Sequence, residues 1–161
     1  MSSIEPQVNH VMLLQGCEEA ISRLYKEYAK AFPAHRAAWQ RLASDEIQHA
    51  DWLHTLRARI EDGSVRLSEA HMVTARQVLD AQDRVGAELI RVEQGNVSIA
   101  DSFRVALGLE GDMLEKDWFR FFETDSAELK RVFESLAAET AKHAAMLKQL
   151  LEEGSRAHEG G

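Results

Sequence analysis

Two stretches of this chain set an acid and a histidine inside an apolar helical stripe. Residues 42–53 read Leu-Ala-Ser-Asp-Glu-Ile-Gln-His-Ala-Asp-Trp-Leu, and residues 136–147 read Leu-Ala-Ala-Glu-Thr-Ala-Lys-His-Ala-Ala-Met-Leu. They share Leu-Ala, five residues, His-Ala, two residues and Leu, at an offset of 94. Glu46 and His49 stand one helical turn apart, as do Glu139 and His143, so each pair projects from one face. Two further acids, Glu18 and Glu110, precede the histidines by 31 and 33 residues. Burying such carboxylates unpaired costs several kcal/mol per ion, and their mutual repulsion raises their pKa values until some protonate. Two divalent cations remove the conflict, since four carboxylates and two neutral imidazoles sum to −4 against +4. Mixed carboxylate and imidazole ligation suits iron or manganese, with zinc as an alternative. The plain alternative is a pair of core imidazoles, each satisfied by a neighbouring carboxylate.

Long helices are needed to bring these groups to one level. The seam Trp39, Leu42, Glu46, His49, Leu53, Leu56, Ile60 has three- and four-residue steps, and Phe133, Leu136, Thr140, His143, Leu147, Leu150 matches it. A second seam through Val132, Leu136, Glu139, His143, Met146 and Leu150 is also open to the later stretch. The pattern predicts a first helix over about 7–32 and a second to about Glu61, stopped at Asp62-Gly63-Ser64. A third is expected from Ser68-Glu69 to Gln94, along Met72, Ala75, Leu79, Val85, Leu89 and Val92. Ser98-Ile-Ala-Asp101 fits a capping box that opens a fourth helix reaching about Glu123. Thr124-Asp125-Ser126 then turns the chain into a fifth helix over about 127–153, with 154–161 a polar flexible tail. The short loops make helices one and two, and four and five, antiparallel neighbours, and helix three carries the chain between these hairpins. A separation near 30 residues in a hairpin sets Glu18 beside His49 and Glu110 beside His143.

Composition limits the alternatives. At 161 residues one helical domain over 1–161 is expected, all-α, with a single core. The net charge of −8 disfavours nucleic acid, and no apolar run approaches membrane-spanning length. A cytoplasmic protein is therefore the default. Cys17, the one cysteine, excludes a disulfide framework and a four-cysteine metal module in this sequence; it reads as a small packing residue. His10, His35, His54, His71 and His158 lack repeated acidic partners and read as surface groups. Trp39, Trp52, Phe119 and Phe121 read as packing or dimer contacts. Asp45 ranks second to Glu46 as the acid that partners His49.

At these residues the chain resembles the ferritin-like di-iron carboxylate superfamily, in its rubrerythrin-like branch. Members place a Glu on each of two helices and Glu-x-x-His on each of the other two. Glu18 matches the first Glu, Glu46 and His49 the first Glu-x-x-His, Glu110 in Ala-Leu-Gly-Leu-Glu the third-helix Glu, and His143 the second His. Tyr25 looks like the aromatic near the metals. The chain departs from the pattern at Thr140, where a Glu is expected; Glu139 stands one residue early, about 100° round the helix. Met113 and Asp117 also differ from the residues usual at their positions.

The resemblance implies a four-helix bundle with a helical crossover, holding two irons on Glu18, Glu46, His49, Glu110, Glu139 and His143. Glu46 would bridge, with Glu139 the candidate second bridge. The implied activity is that of an oxidoreductase, a peroxidase or ferroxidase acting on Fe(II) and on oxygen or peroxide, in oxidative-stress defence or iron handling. Electrons would come from an external donor, and a homodimer fits chains of this kind. The competing expectation, motivated by Thr140, is a ferritin-like scaffold with a one-metal or empty site and a structural or partner-binding role.

Overall fold

Helix α1 (Ile4–Ala31) buries Val11, Leu14, Cys17, Glu18, Ile21, Tyr25 and Tyr28 along one stripe. Pro6 sits in its first turn, where the missing N–H costs nothing. A 3-10 turn, Pro33–His35, leads into α2 (Arg36–Glu61), which buries Trp39, Leu42, Glu46, His49, Leu53, Leu56 and Ile60. Tyr28 meets Trp39 at a ring-centroid distance of 4.8 Å, and the Ser22 hydroxyl donates to the Ala43 carbonyl at 2.8 Å. Contact partners thus descend on α1 as they rise on α2, and the two helices form an antiparallel hairpin. The computed structural model describes residues 4–68, 71–115 and 122–159, and within them the chain is mostly helical.

The helix ends follow the local chemistry. Gly63 (φ 85°) and Gly95 (φ 73°) take the left-handed conformation that glycine adopts without strain. After α3 (His71–Glu93), the Asn96 N–H reaches the Arg91 carbonyl at 3.0 Å and the Gly95 N–H the Val92 carbonyl at 3.1 Å. That is a Schellman cap. Helix α4 (Ile99–Glu115) opens on the expected box: the Asp101 N–H donates to Ser98 Oγ at 3.1 Å. Asp101 accepts from Ser98 in return, which lowers its pKa. Ser126 Oγ accepts from the Leu129 N–H at 3.3 Å at the start of α5 (Ala127–Glu159).

Several elements differ from expectation. Strands β1 (Val65–Leu67) and β2 (Phe122–Thr124) pair antiparallel, Val65 opposite Thr124 and Leu67 opposite Phe122. A ladder therefore joins the α2–α3 connection to the one preceding α5, where the pattern suggested the end of helix four. Helix α4 is described to Glu115, and α5 continues through Gly154 to Glu159 instead of releasing a tail at 154. On α3 Val85 and Val92 are buried as expected, but Val78 takes the inward place expected of Leu79, which is 45% exposed. His10 is buried, not superficial. Glu69, Asp117, Phe119 and Phe121 lie outside the described residues.

Helix α1 packs closely against α2 and α3, and α4 against α5. Trp39 anchors the core, lying 5.3 Å from Tyr25 and stacking on Phe103 of α4 at 5.5 Å. Among the described residues no helix is long and apolar enough to cross a membrane.

Candidate metal centre

Five titratable side chains meet inside these helices: Glu18 from α1, Glu46 and His49 from α2, Glu110 from α4 and His143 from α5. All five are buried. They form two groups, Glu18–Glu46–His49 and Glu46–Glu110–His143, with the donor atoms of each within 4.8 Å of one another. Glu46 belongs to both. Its Oε2 lies 3.6 Å from His49 Nδ1, and its Oε1 lies 3.4 Å from His143 Nδ1. Glu18 Oε2 approaches His49 Nδ1 at 3.9 Å, and Glu110 Oε1 approaches His143 Nδ1 at 3.7 Å. The two imidazoles lie nearly parallel, 5.9 Å apart. One carboxylate thus spans two like half-sites, each completed by one Glu and one His.

These separations exceed a hydrogen bond but suit donor atoms that share a first-row divalent ion at about 2.1 Å from each. Of the buried side-chain atoms without a hydrogen-bond partner among the described residues, six fall in the two groups: Glu18 Oε2, both Glu46 oxygens, Glu110 Oε2 and the Nδ1 atoms of His49 and His143; Tyr28, Trp39 and Gln77 carry others elsewhere. Buried polar atoms are rarely left so, and orphaning each costs about 1–3 kcal/mol. Six such atoms gathered in one cluster of carboxylates and imidazoles fit a metal pair.

The far nitrogen of each ring is held by an acid from the opposite repeat. His49 Nε2 lies 2.6 Å from Glu139 Oε2, and His143 Nε2 lies 3.0 Å from Asp45 Oδ2. In the neutral ring a carboxylate there keeps the proton on Nε2 and turns the Nδ1 lone pair toward the cluster. Glu139 is therefore not a second bridge: its side chain is 43% exposed and lies on the outer edge of His49. The inward position belongs to Thr140, which is buried and donates to the Leu136 carbonyl at 3.0 Å. Asp45 partners His143, not His49. The signal was present in the repeat, because Asp45 and Glu139 are themselves separated by 94 residues. The inner set holds three carboxylates, so the expected −4 becomes −3, with Asp45 and Glu139 outside it.

No known protein family, curated protein or solved structure matches this chain. The chemistry of the donor set is therefore what defines the centre. Burial and the Glu46 charge push Glu18 well above the carboxylate range. The same causes take Glu110 to about 8, partly opposed by His143. Burial opposes ionisation of Glu46, but the approach of Glu18, His143, His49 and Glu110 outweighs it and holds Glu46 well below the usual range. Burial also opposes charging His143, yet Glu110 and Glu46 raise it to about 11. His49 is raised by Glu46 and Glu139 in the same way. Without metal, these shifts favour the ionised form of Glu46, the neutral forms of Glu18 and Glu110 and the protonated form of His143, with His49 shifted in the same direction.

Two neighbours complete the surroundings. The Tyr25 hydroxyl donates to Glu110 Oε1 at 2.9 Å, which orients that carboxylate. Cys17 is buried, and desolvation with the charges of Glu46 and Glu110 takes its thiol to about 12, so it stays protonated. The buried groups offer a place for a metal ion, and their donors are those that iron, manganese and zinc accept.

Proposed function

We propose that this protein is a ferritin-like, rubrerythrin-like non-haem di-iron oxidoreductase that oxidises Fe(II) and reduces oxygen or peroxide. The hairpins α1–α2 and α4–α5 would form its four-helix bundle, with α3 as the crossover. The observation that carries this reading is Glu46, which directs one oxygen into each of two half-sites. Glu18 and His49 would hold one iron, Glu110 and His143 the other, and Glu46 both. Bound there, iron would supply the electrons that reduce the oxidant.

The protein's own groups then have definite tasks. Asp45 and Glu139 fix the tautomers of the two rings. Tyr25 fixes Glu110 and keeps a proton donor beside it. Leu42 and Leu53 on α2, and Leu136 and Leu147 on α5, are buried a turn or two above and below the donors. They exclude water and strengthen every charge interaction inside. Oxidative-stress defence or iron handling in the cytoplasm, with electrons from another protein, is the setting this chemistry fits.

Anaerobic titration with Fe(II) tests the proposal. Two ions should bind per chain, and a Glu46→Ala/His49→Ala variant should bind neither with comparable affinity. A chain that takes up no Fe(II), and is equally stable with and without it, sinks the proposal. Thr140 favours a second reading, a scaffold with a one-metal site, for which the same titration ends at one ion.

A further inference from the structure

Charge is spread unevenly over this acidic chain. Residues 22–44 carry Arg23, Lys26, Lys30, Arg36 and Arg41 against a single acid, Glu27, although the whole chain has 19 basic and 27 acidic residues. All five cations are exposed. Arg23, Lys26, Lys30, Arg36 and Gln40, with Glu27 as the acid among them, line an open cleft of about 470 Å³ between α1 and α2. A second cleft of about 460 Å³ shares Lys26 and Gln40 and extends the groove to Ser44 and Ile47. Lys30 pairs with Glu27 at 3.0 Å; among the described residues, Arg23, Lys26 and Arg36 have no ion pair.

The shape of this groove selects its occupant. Arg23 to Lys30 spans about 10 Å along α1, and Arg36 to Ile47 spans about 16 Å along α2. The cations are strung along these lengths and do not converge on one point, as recognition of a compact oxyanion requires. A dispersed positive field instead suits a complementary acidic surface, whose approach it steers. The groove also lies against the hairpin that carries two of the candidate ligands. The Ala43 carbonyl, from a residue that lines the groove, accepts a hydrogen bond from the Ser22 hydroxyl; Glu18 is one turn from Ser22, and Glu46 is one turn from Ala43.

We propose that the basic groove between α1 and α2 is the docking surface for an acidic protein which, resting on the function proposed above, is the external electron donor. Each encounter oxidises the partner by one electron and reduces the centre by one. Two encounters replace the two electrons that turn peroxide, with two protons, into two waters.

An acidic plant-type [2Fe–2S] ferredoxin serves as the probe, titrated against the metal-free and the iron-loaded protein. Binding to both forms is expected, weakening steeply with salt. The triple variant Arg23→Glu/Lys26→Glu/Lys30→Glu should lower affinity at least about tenfold, mainly through the on-rate. A control reversal on α5, Arg131→Glu/Lys148→Glu, should not. Equal binding by the triple variant, or binding insensitive to salt, overturns the proposal, as does inorganic phosphate binding at the groove without the ferredoxin. Groove-dependent docking to the metal-free chain, with no oxidation of reduced ferredoxin by the iron-loaded chain, supports the surface and overturns the donor role.

Discussion

An ion held by Glu46, Glu110 and His143 should expel about two protons on binding. In the metal-free protein Glu110 titrates at about 8 and His143 at about 11, so both hold protons at neutral pH. An ion on Glu46, Glu110 and His143 takes the Glu110 carboxylate and the His143 Nδ1 lone pair, and both protons must leave. Glu18 and His49 are raised as well, so an ion on Glu46, Glu18 and His49 displaces protons in the same direction. Each displaced proton adds about 1.36 kcal/mol per pH unit. Affinity at the half-site of Glu110 and His143 should therefore rise about 100-fold per pH unit below about pH 7. Above about 8, where Glu110 of the metal-free chain is already ionised, the gain at its half-site falls to about tenfold per unit. Calorimetric titration with Zn(II), or anaerobically with Fe(II), in buffers of different ionisation enthalpy counts the protons directly. Release of less than one proton per ion, or affinity indifferent to pH, would refute the protonated cluster described above.

The chelated protein should lose stability as pH rises. Glu110 binds its proton more tightly folded than unfolded, so its contribution declines from about 4.5 to about 8, and that of His143 declines from about 6.5 to about 11. Melting temperature without metal should accordingly fall from pH 5 to 9, and Glu110→Gln should flatten the lower part of that fall. Asp45→Asn and Glu139→Gln should each weaken metal binding about 10–100-fold, by releasing the ring each one holds; unchanged affinity in both would remove their role. Thr140→Glu should lower the melting temperature in chelator, since another buried carboxylate costs several kcal/mol, and recover it with divalent metal. An unaffected metal-free melt would show that position 140 does not face the cluster. Trp39→Ala should cost about 3–5 kcal/mol in urea denaturation, given its complete burial between Tyr25, Tyr28 and Phe103.

Much of the centre was legible in the sequence because helical periodicity decides which side chains face inward. Glu18, Glu46, His49, Glu110 and His143 all lie in the stripes that their apolar neighbours define. The seam through Thr140 is the buried one because Phe133, Leu136 and Leu147 anchor it on larger apolar surface than the competing face through Val132 and Met146. Less legible was which acid reaches which ring. That depends on the stagger between α2 and α5, which no pattern within one helix encodes. Strands of three residues, Val65–Leu67 and Phe122–Thr124, are too short for alternation to distinguish them from a helix end. The extension of α5 past Gly154 was hidden because one glycine lowers helix propensity without ending a helix.

The crosswise pairs, His49 with Glu139 and His143 with Asp45, make each hairpin an incomplete half. Separated, either one carries an imidazole without the acid that orients it and an acid without its imidazole. Helix α2 alone brings the shared Glu46, so the second hairpin cannot span two ions by itself. Filling the centre and clasping the hairpins together would accordingly be one equilibrium, with a bound ion acting as a rivet: its loss would loosen the seam, and a sprung seam would release it.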